Sequence, residues 1–333
     1  MSTADRRLDV LRAIVSDYVC NREPVGSKML VERYDLGVSP ATIRNDMAVL
    51  EEEGLIYQPH TSAGRVPTLA GYRVFVDKLA QIKPLSAPER RAIESFLADA
   101  LSVDDVIERT VRLMAQLTRQ VAIIQYPHCT QTKVLCLEIV ELGDQRLMIV
   151  LITDNTNVER RTLNAITANS AELAQFKHVL NQLCIGKELA QVQEILGQHL
   201  HTWPYDFQKQ IAQTILELTK VEAEQRLVIA GTANLVRAET DFQHSIVPVL
   251  DALEEQVALL RLISGVQTDQ VRVSIGKENH HDGLIETAIV AGKYGTETTS
   301  AHLAVVGPVR MDYTAAMSTV QSLSNYLSHY LKK

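Results

Sequence analysis

The sequence has only four cysteines, Cys20, Cys129, Cys136 and Cys184, and no two stand in a Cys-x-x-Cys pair. That excludes a zinc knuckle and a thioredoxin-like dithiol, and predicts reduced, mostly buried thiols in a cytoplasmic protein. Long apolar runs are missing too. The longest, around Leu147 to Ile152, falls far below the roughly 18 residues of a membrane span. The opening "MSTADRRLDVL" carries charges where a signal peptide carries an apolar stretch. A cytoplasmic protein with no membrane partner is therefore expected. No Gly-x-Ser-x-Gly elbow or His-Glu-x-x-His pair is present, and "GKYGTETTS" (292–300) lacks the Gly-Lys-Ser/Thr of a phosphate loop. No enzymatic activity, cofactor or metal is expected. Bulk positive charge is absent as well. At a net charge of −7, any nucleic-acid role must reside in a local surface.

What the sequence does have is length and periodicity. Its 333 residues allow two or three domains, and a 46% hydrophobic content supports substantial cores. Leu8, Leu11, Ile14 and Tyr18 recur at helical spacing, which predicts an amphipathic first helix. After "EPVG", Ser27 is placed to cap a short second helix carrying Met29, Leu30 and Tyr34. Gly37 marks a turn. Ser39 then caps a third helix, and Pro40 fits its first turn, where no amide hydrogen bond is lost. Ile43, Met47 and Leu50 form its apolar stripe, and Gly54 stops it. Residues 55–58 and "RVP" (65–67) read as short strands around the polar loop "HTSAG", before Thr68 caps a helix to about Ala80. Three helices and a β-hairpin outline a winged helix-turn-helix.

"IKPLSAPER" (82–90) is a linker with two prolines that runs into a capping box, Ser86-x-x-Glu89. A helix follows to about Leu101. Ser102 caps another, with Val106, Val111, Met114 and Leu117 on its apolar side. From Val121 strands appear: "VAIIQY", then "KVLCLEIVEL" and "RLMIVLIT" flanking a Gly143-Asp144 hairpin signal. Helical text covers 170–221 and 247–262. "VRVSIG", "LIETAIVA" and "SAHLAVVG" are strands, followed by a C-terminal helix. Strand runs thus lie on both sides of a helical middle, which favours one α+β domain carrying an insertion.

The polar side of the third helix is its most informative feature. With the stripe facing inward, Thr42, Arg44, Asn45 and Ala48 face out near the N-terminal end. In a helix-turn-helix that end enters the major groove. An arginine there can pair with guanine and an asparagine with adenine, while Ser39, Thr42 and the free amides of the first turn suit a phosphate. Residues 54–76 contain no Asp or Glu but do contain His60, Arg65 and Arg73, with Thr61 and Ser62 between the first two. A wing tip without acids is a candidate phosphate footprint. The same pattern also occurs in winged helices that dock protein.

"EPVGSKMLVERYDLGVSPATIRNDMAVLEEEGLIYQPHTSAGRVPTLAGYRVFVD", with "GTANLV" (231–236), "SIGKEN" (274–279) and "VVGPVRMDY" (305–313), closely resembles the HrcA family of bacterial heat-inducible transcription repressors. The likeness is strong at both ends and looser over about 82–225. It implies an α+β fold: a winged helix-turn-helix at 1–81, a linker helix region at 82–104, a GAF-like domain at 105–164 and 246–333, and an inserted, largely helical dimerising domain at 165–245. It implies a homodimer on double-stranded DNA at an inverted-repeat operator of the CIRCE type, with activity maintained by the GroE-type chaperonin. On this reading Arg44, Asn45, Thr42 and Ser39 read bases, and Lys28, His60, Thr61, Ser62 and Arg65 contact the DNA backbone or minor groove.

Other groups carry less. His199 and His201 lack a third ligand nearby, and "ENHHDG" (278–283) reads as a polar loop between strands. Cys136, Met148, Ile275 and Val305 lie on predicted strands and either form core or line a ligand cavity. The alternative function is therefore a winged-helix repressor whose α+β domain senses a small molecule. A winged helix that docks protein, attached to a ligand-binding or catalytic domain, is the reading from another class.

Overall fold

Helical spacing at the N-terminus becomes α1 (Thr3–Asn21), α2 (Ser27–Arg33) and α3 (Pro40–Glu52), followed by β1 (Ile56–Tyr57), β2 (Val66–Pro67) and α4 (Leu69–Val74). A π-helical turn, Phe75–Leu79, continues α4. This is a computed structural model, and it describes residues 3–332 except 62, 81, 83–85, 99, 101, 130–131, 144, 155–157, 165–167, 222–225, 243, 264–269 and 297. Ser39 caps α3, with Pro40 first in the helix, and Gly54 follows it at φ +71°, the left-handed stop that glycine permits. Ser27 does not cap α2. It is the helix's first residue and is buried, and Gly26 holds the cap position with no side chain to offer.

The expected capping box starts α5 (Ala87–Ala98): Ser86 N–H donates to Glu89 Oε2 at 2.8 Å, and Glu89 N–H to Ser86 Oγ at 3.4 Å. Ser102 caps α6 (Val103–Thr118), and Val106, Val111 and Met114 are buried. Leu117, expected on the same face, is 49% exposed in the last turn.

The chain continues through β3 (Val121–Gln125), β4 (His128–Cys129), β5 (Val134–Gly143), β6 (Arg146–Thr153), β7 (Val158–Leu163), α7 (Ser170–Cys184), α8 (Leu189–His199) and α9 (Asp206–Val221). It returns as β8 (Leu227–Ala230), α10 (Thr232–Arg237), α11 (Val247–Glu254), α12 (Gln256–Ile263), β9 (Arg272–Ile275), β10 (Thr287–Gly295), β11 (Thr299–Pro308) and α13 (Tyr313–Tyr330). Two units result: Met1–Tyr126, Leu227–Gly295 and Ala301–Lys333 form the first, and Pro127–Arg226 with Thr296–Ser300 the second.

The first unit holds a sheet in the order β8-β3-β11-β10-β9. Its inner strands β3, β11 and β10 are buried almost throughout, without alternation, because both faces are covered. Ala122, Ile124, Leu303, Val305, Ala288 and Val290 face a core shared with α6, α13 and the N-terminal helices. Their neighbours Val121, Ile123, Ala304, Val306, Ile289 and Ala291 face α11 and α12. Winged helix and sheet share the first of these cores, and the Tyr72 and Tyr313 rings lie 5.7 Å apart across it. The segments 1–81 and 105 onward, expected as separate domains, therefore cluster in one unit.

The second unit is an antiparallel sheet, β5-β6-β7, whose face of Leu137, Leu147, Ile149 and Leu151 packs on α7, α8 and α9. Of the strands expected in the larger α+β domain up to residue 164, β5, β6 and β7 pair among themselves and pack with the helices that follow, whereas β3 belongs to the first unit's sheet. Apolar strands of either sheet look alike in sequence, so the sequence alone does not say which sheet each joins. The candidate cavity residues divide likewise. Ile275 and Val305 are core of the first unit, whereas Cys136 and Met148 lie on β5 and β6 of the second.

Candidate nucleic-acid interface

The start of α3 is built by its own hydroxyls. Ser39 Oγ accepts from Thr42 N–H at 3.2 Å and shares a hydrogen bond with Thr42 Oγ1 at 3.0 Å. A cap of this kind is worth about 1 kcal/mol. Arg44 and Asn45, one turn on, are exposed, and no side-chain hydrogen bond or ion pair engages them among the described residues. Ile43, Met47 and Leu50 are buried behind them.

Asp46 is buried on the same inner side, at 3% exposure. Arg6 holds it through Nε at 2.7 Å and Nη2 at 3.1 Å, and Arg7 Nε lies at 3.8 Å. The bond to Asp46 raises the Arg6 guanidinium's affinity for its proton. In α1, Asp17 is likewise buried and receives Arg33 Nη1 at 2.7 Å. A buried carboxylate persists only where such partners replace its water. These two acids fix α3 and α2 against α1, and the sequence reading missed them. The available signal was an acid lying on each apolar stripe, three residues from Ile43 and from Ile14.

The wing pairs Ile56 with Pro67 and Tyr57 with Val66. A third strand-like contact joins it to the α1–α2 connection: Val25 N–H donates to Arg65 O, and Arg65 N–H to Val25 O, each at 2.9 Å. Gly64 permits this approach, since a Cβ there would stand 2.5 Å from the Val25 carbonyl carbon. Gln58 Nε2 closes the tip on Thr61 O (2.9 Å) and Ala63 O (2.8 Å). His60 and Thr61 are exposed at the tip and Lys28 is exposed on α2, while Ser62 lies outside the described residues.

Arg65, expected to contact the DNA backbone or minor groove, is paired within the protein. Its Nε and Nη2 both lie 2.9 Å from Glu51 Oε2, so an acid of α3 reaches the wing and matches its charge. Replacing Arg65 with alanine is then expected to lower the salt slope of DNA binding by less than the roughly one unit of a free phosphate contact. Glu51→Gln, which leaves Arg65 unmatched, is expected to steepen it. Anisotropy titrations over a salt series measure both, and a full-unit drop for Arg65→Ala would return that side chain to the phosphate contacts. Arg73 is engaged too, with Glu278 Oε1 and Val273 O each at 3.0 Å.

At the far end of α1, Arg310 Nη1 donates to the carbonyls of Tyr18 (3.3 Å), which also receives Arg22 N–H at 3.0 Å, and Val19 (3.1 Å), in the last turn of the helix. Arg310 Nε also bonds Asp241 Oδ1 at 3.0 Å, and Arg22 Nη2 reaches Asp241 Oδ2 at 3.2 Å. The winged helix is thus tied to residues of the sheet domain within the first unit. Among the described residues no helix is long and apolar enough to cross a membrane.

Comparison with known proteins agrees with this geometry. The family model described as HrcA protein C terminal domain matches residues 104–317, and a DeoR-like helix-turn-helix domain matches residues 14–67. The chain is 49% identical to the heat-inducible transcription repressor HrcA of Beutenbergia cavernae, over 98% of this chain and 99% of that one. Identity to the protein of that name from Kineococcus radiotolerans is 50%, over 98% and 99%. For that from Streptomyces avermitilis it is 49%, over 98% of each. The role in their names, transcription repressor, is not an enzymatic one. A crystal structure titled as a hypothetical protein superposes with a TM-score of 0.62 at 27% identity, covering 98% of both chains. A helix-turn-helix at 14–67, the family domain over most of the remainder and near-half identity along the whole length together place the chain in the HrcA family.

Proposed function

We propose that the protein represses transcription by binding an inverted-repeat, CIRCE-type operator as a homodimer, heat-inducibly, with the GroE-type chaperonin maintaining its active form. The observation that carries the DNA reading is the pair Arg44 and Asn45, exposed and unengaged on a helix whose inner side is held by the buried Asp46. Arg44 and Asn45 then read bases. Ser39 and Thr42 shape the helix start and present its first amides to phosphate. Lys28, His60, Thr61 and Ser62 approach the backbone. The GAF-like domain is assigned to the two-faced sheet of the first unit, and the dimerising domain to the second unit.

Fluorescence anisotropy with a full inverted repeat, a single half-site and a scrambled duplex tests the reading, with and without chaperonin. Tight, salt-sensitive binding to the full repeat is expected, weaker binding to the half-site, and an increase in active fraction with chaperonin. Equal weak binding to all three duplexes in both arms would refute it.

The dimer assignment has its own test. Gln125 and Leu227 are paired neighbours on β3 and β8, so residues 127–226 can be replaced by a short Gly-rich turn. The shortened chain is expected to sediment as a monomer and to bind the full repeat no better than the half-site. A shortened chain that still sediments as a dimer would move the interface to the first unit.

A further inference from the structure

A cavity of about 1000 Å³ lies in the first unit, among the C-terminal ends of α1 and α6, the start of α10, and the turn leading into α13. That is at the upper end of the range for small-molecule sites. Five arginines line it, Arg22, Arg112, Arg119, Arg237 and Arg310, against two acids, Asp241 and Asp312. Both acids are already committed. Asp241 receives Arg310 and Arg22, and Asp312 accepts from Ala315 N–H at 2.9 Å as the cap of α13. Arg112 pairs with Glu108 at 2.7 Å, while Arg237 bonds only the neutral side chain of Asn234 at 3.1 Å. Arg119 has no side-chain partner among the described residues. The lining therefore keeps positive charge that its own acids do not match.

The backbone points to the same place. Four non-glycine residues have positive φ among the described residues, and two are arginines of this cavity: Arg22 at 62° and Arg119 at 55°. Each follows directly after a helix, α1 or α6, where glycine is the usual occupant. A cation inside the last turn would satisfy the helix dipole without left-handed backbone. Strain retained at two points around one cavity is the pattern of a site whose side chains matter.

We infer that this cavity binds a small molecule carrying two or more linked phosphate groups. Guanidinium forks match phosphate oxygens two at a time, and several forks around one space call for more than one anionic group. Leu117 and Val19 supply apolar wall for the remainder of such a ligand. Because the walls come from both α1 of the winged helix and α6 of the sheet domain, occupancy couples to the setting of α3, and the coupling is reciprocal. The binding itself does not depend on the proposed operator.

Isothermal titration calorimetry of the full chain with sodium pyrophosphate and with ADP, at constant ionic strength, tests the inference. Citrate serves as a tricarboxylate control. Saturable binding of one pyrophosphate or ADP per chain is expected, with citrate much weaker. Arg119→Gly, which removes the guanidinium and suits the left-handed backbone, is expected to weaken binding about ten-fold or more, as is Arg237→Ala. Thermal melting of Arg119→Gly should be no lower than the parent's, separating lost recognition from lost fold. Arg90→Ala on α5 should bind like the parent. Absence of saturable binding by both phosphate compounds, equal binding of citrate, or unchanged affinity in both arginine variants would overturn the inference.

Discussion

Replacing Arg44 with alanine is expected to cost about 1–3 kcal/mol of sequence-specific DNA affinity per half-site, and about twice that where two half-sites are read together. The side chain is exposed and makes no side-chain bond among the described residues, so its removal is expected to leave the fold untouched. Thermal melting of the variant should match the parent, while binding to a scrambled duplex falls only slightly. Such a loss confined to the cognate repeat identifies a base contact, because a phosphate contact weakens all sequences alike. Asn45→Ala should behave similarly, with the loss concentrated at adenines. Equal binding of Arg44→Ala and parent to the operator would remove α3 from base reading.

Gly71→Ala is expected to be the most damaging single-methyl change in the winged helix. A Cβ at this position would stand 2.0 Å from the carbonyl oxygen of Leu55 and 3.1 Å from its carbon. Both obstacles are backbone, so no side chain can rotate aside. The same oxygen accepts from Thr68 N–H at 3.0 Å, at the cap that starts α4. The methyl must therefore push α4 off the entry to the wing, at roughly 3 kcal/mol or more. Hydrogen exchange should show the amides of β1, β2 and α4 losing protection, and DNA binding should fall with them. Gly26→Ala, where a Cβ meets nothing within 4 Å and φ is an ordinary −96°, is the tolerant counterpart. A Gly71→Ala protein that melts with its parent would contradict the close approach of α4 to Leu55.

The parts of the fold that were legible in sequence are those where local chemistry decides. Ser39-Pro40 and Gly54 bracket α3, and Ser102 starts α6. The wing's two strands flank a loop rich in turn residues. What sequence left dark is where distant segments choose among partners. The hairpin signal between "KVLCLEIVEL" and "RLMIVLIT" does pair β5 with β6, but nothing in either strand says that they join a different sheet from β3. Nothing in Arg65 announces Glu51, fourteen residues earlier, as its partner. Asp17 and Asp46 lie on apolar stripes, but nothing near them in the chain names Arg33 and Arg6 as their partners. For the site, helical phase placed Arg44 and Asn45 outside, as they are, whereas the ion pair of the wing's Arg65 was not legible. The chaperonin, the operator and the dimer come from the family resemblance.

The pairing of Gln125 with Leu227 also bears on the order of folding. β3 cannot meet β8 until the whole intervening segment has brought its ends together, and closing so long a loop is entropically slow. If the second unit folds first, it acts as the clasp that joins those ends, and the central sheet is completed last. Until then strands destined for burial on both faces stand open to solvent. A chain assembled in this order spends its vulnerable interval as an aggregation-prone intermediate, the kind of species that chaperones hold.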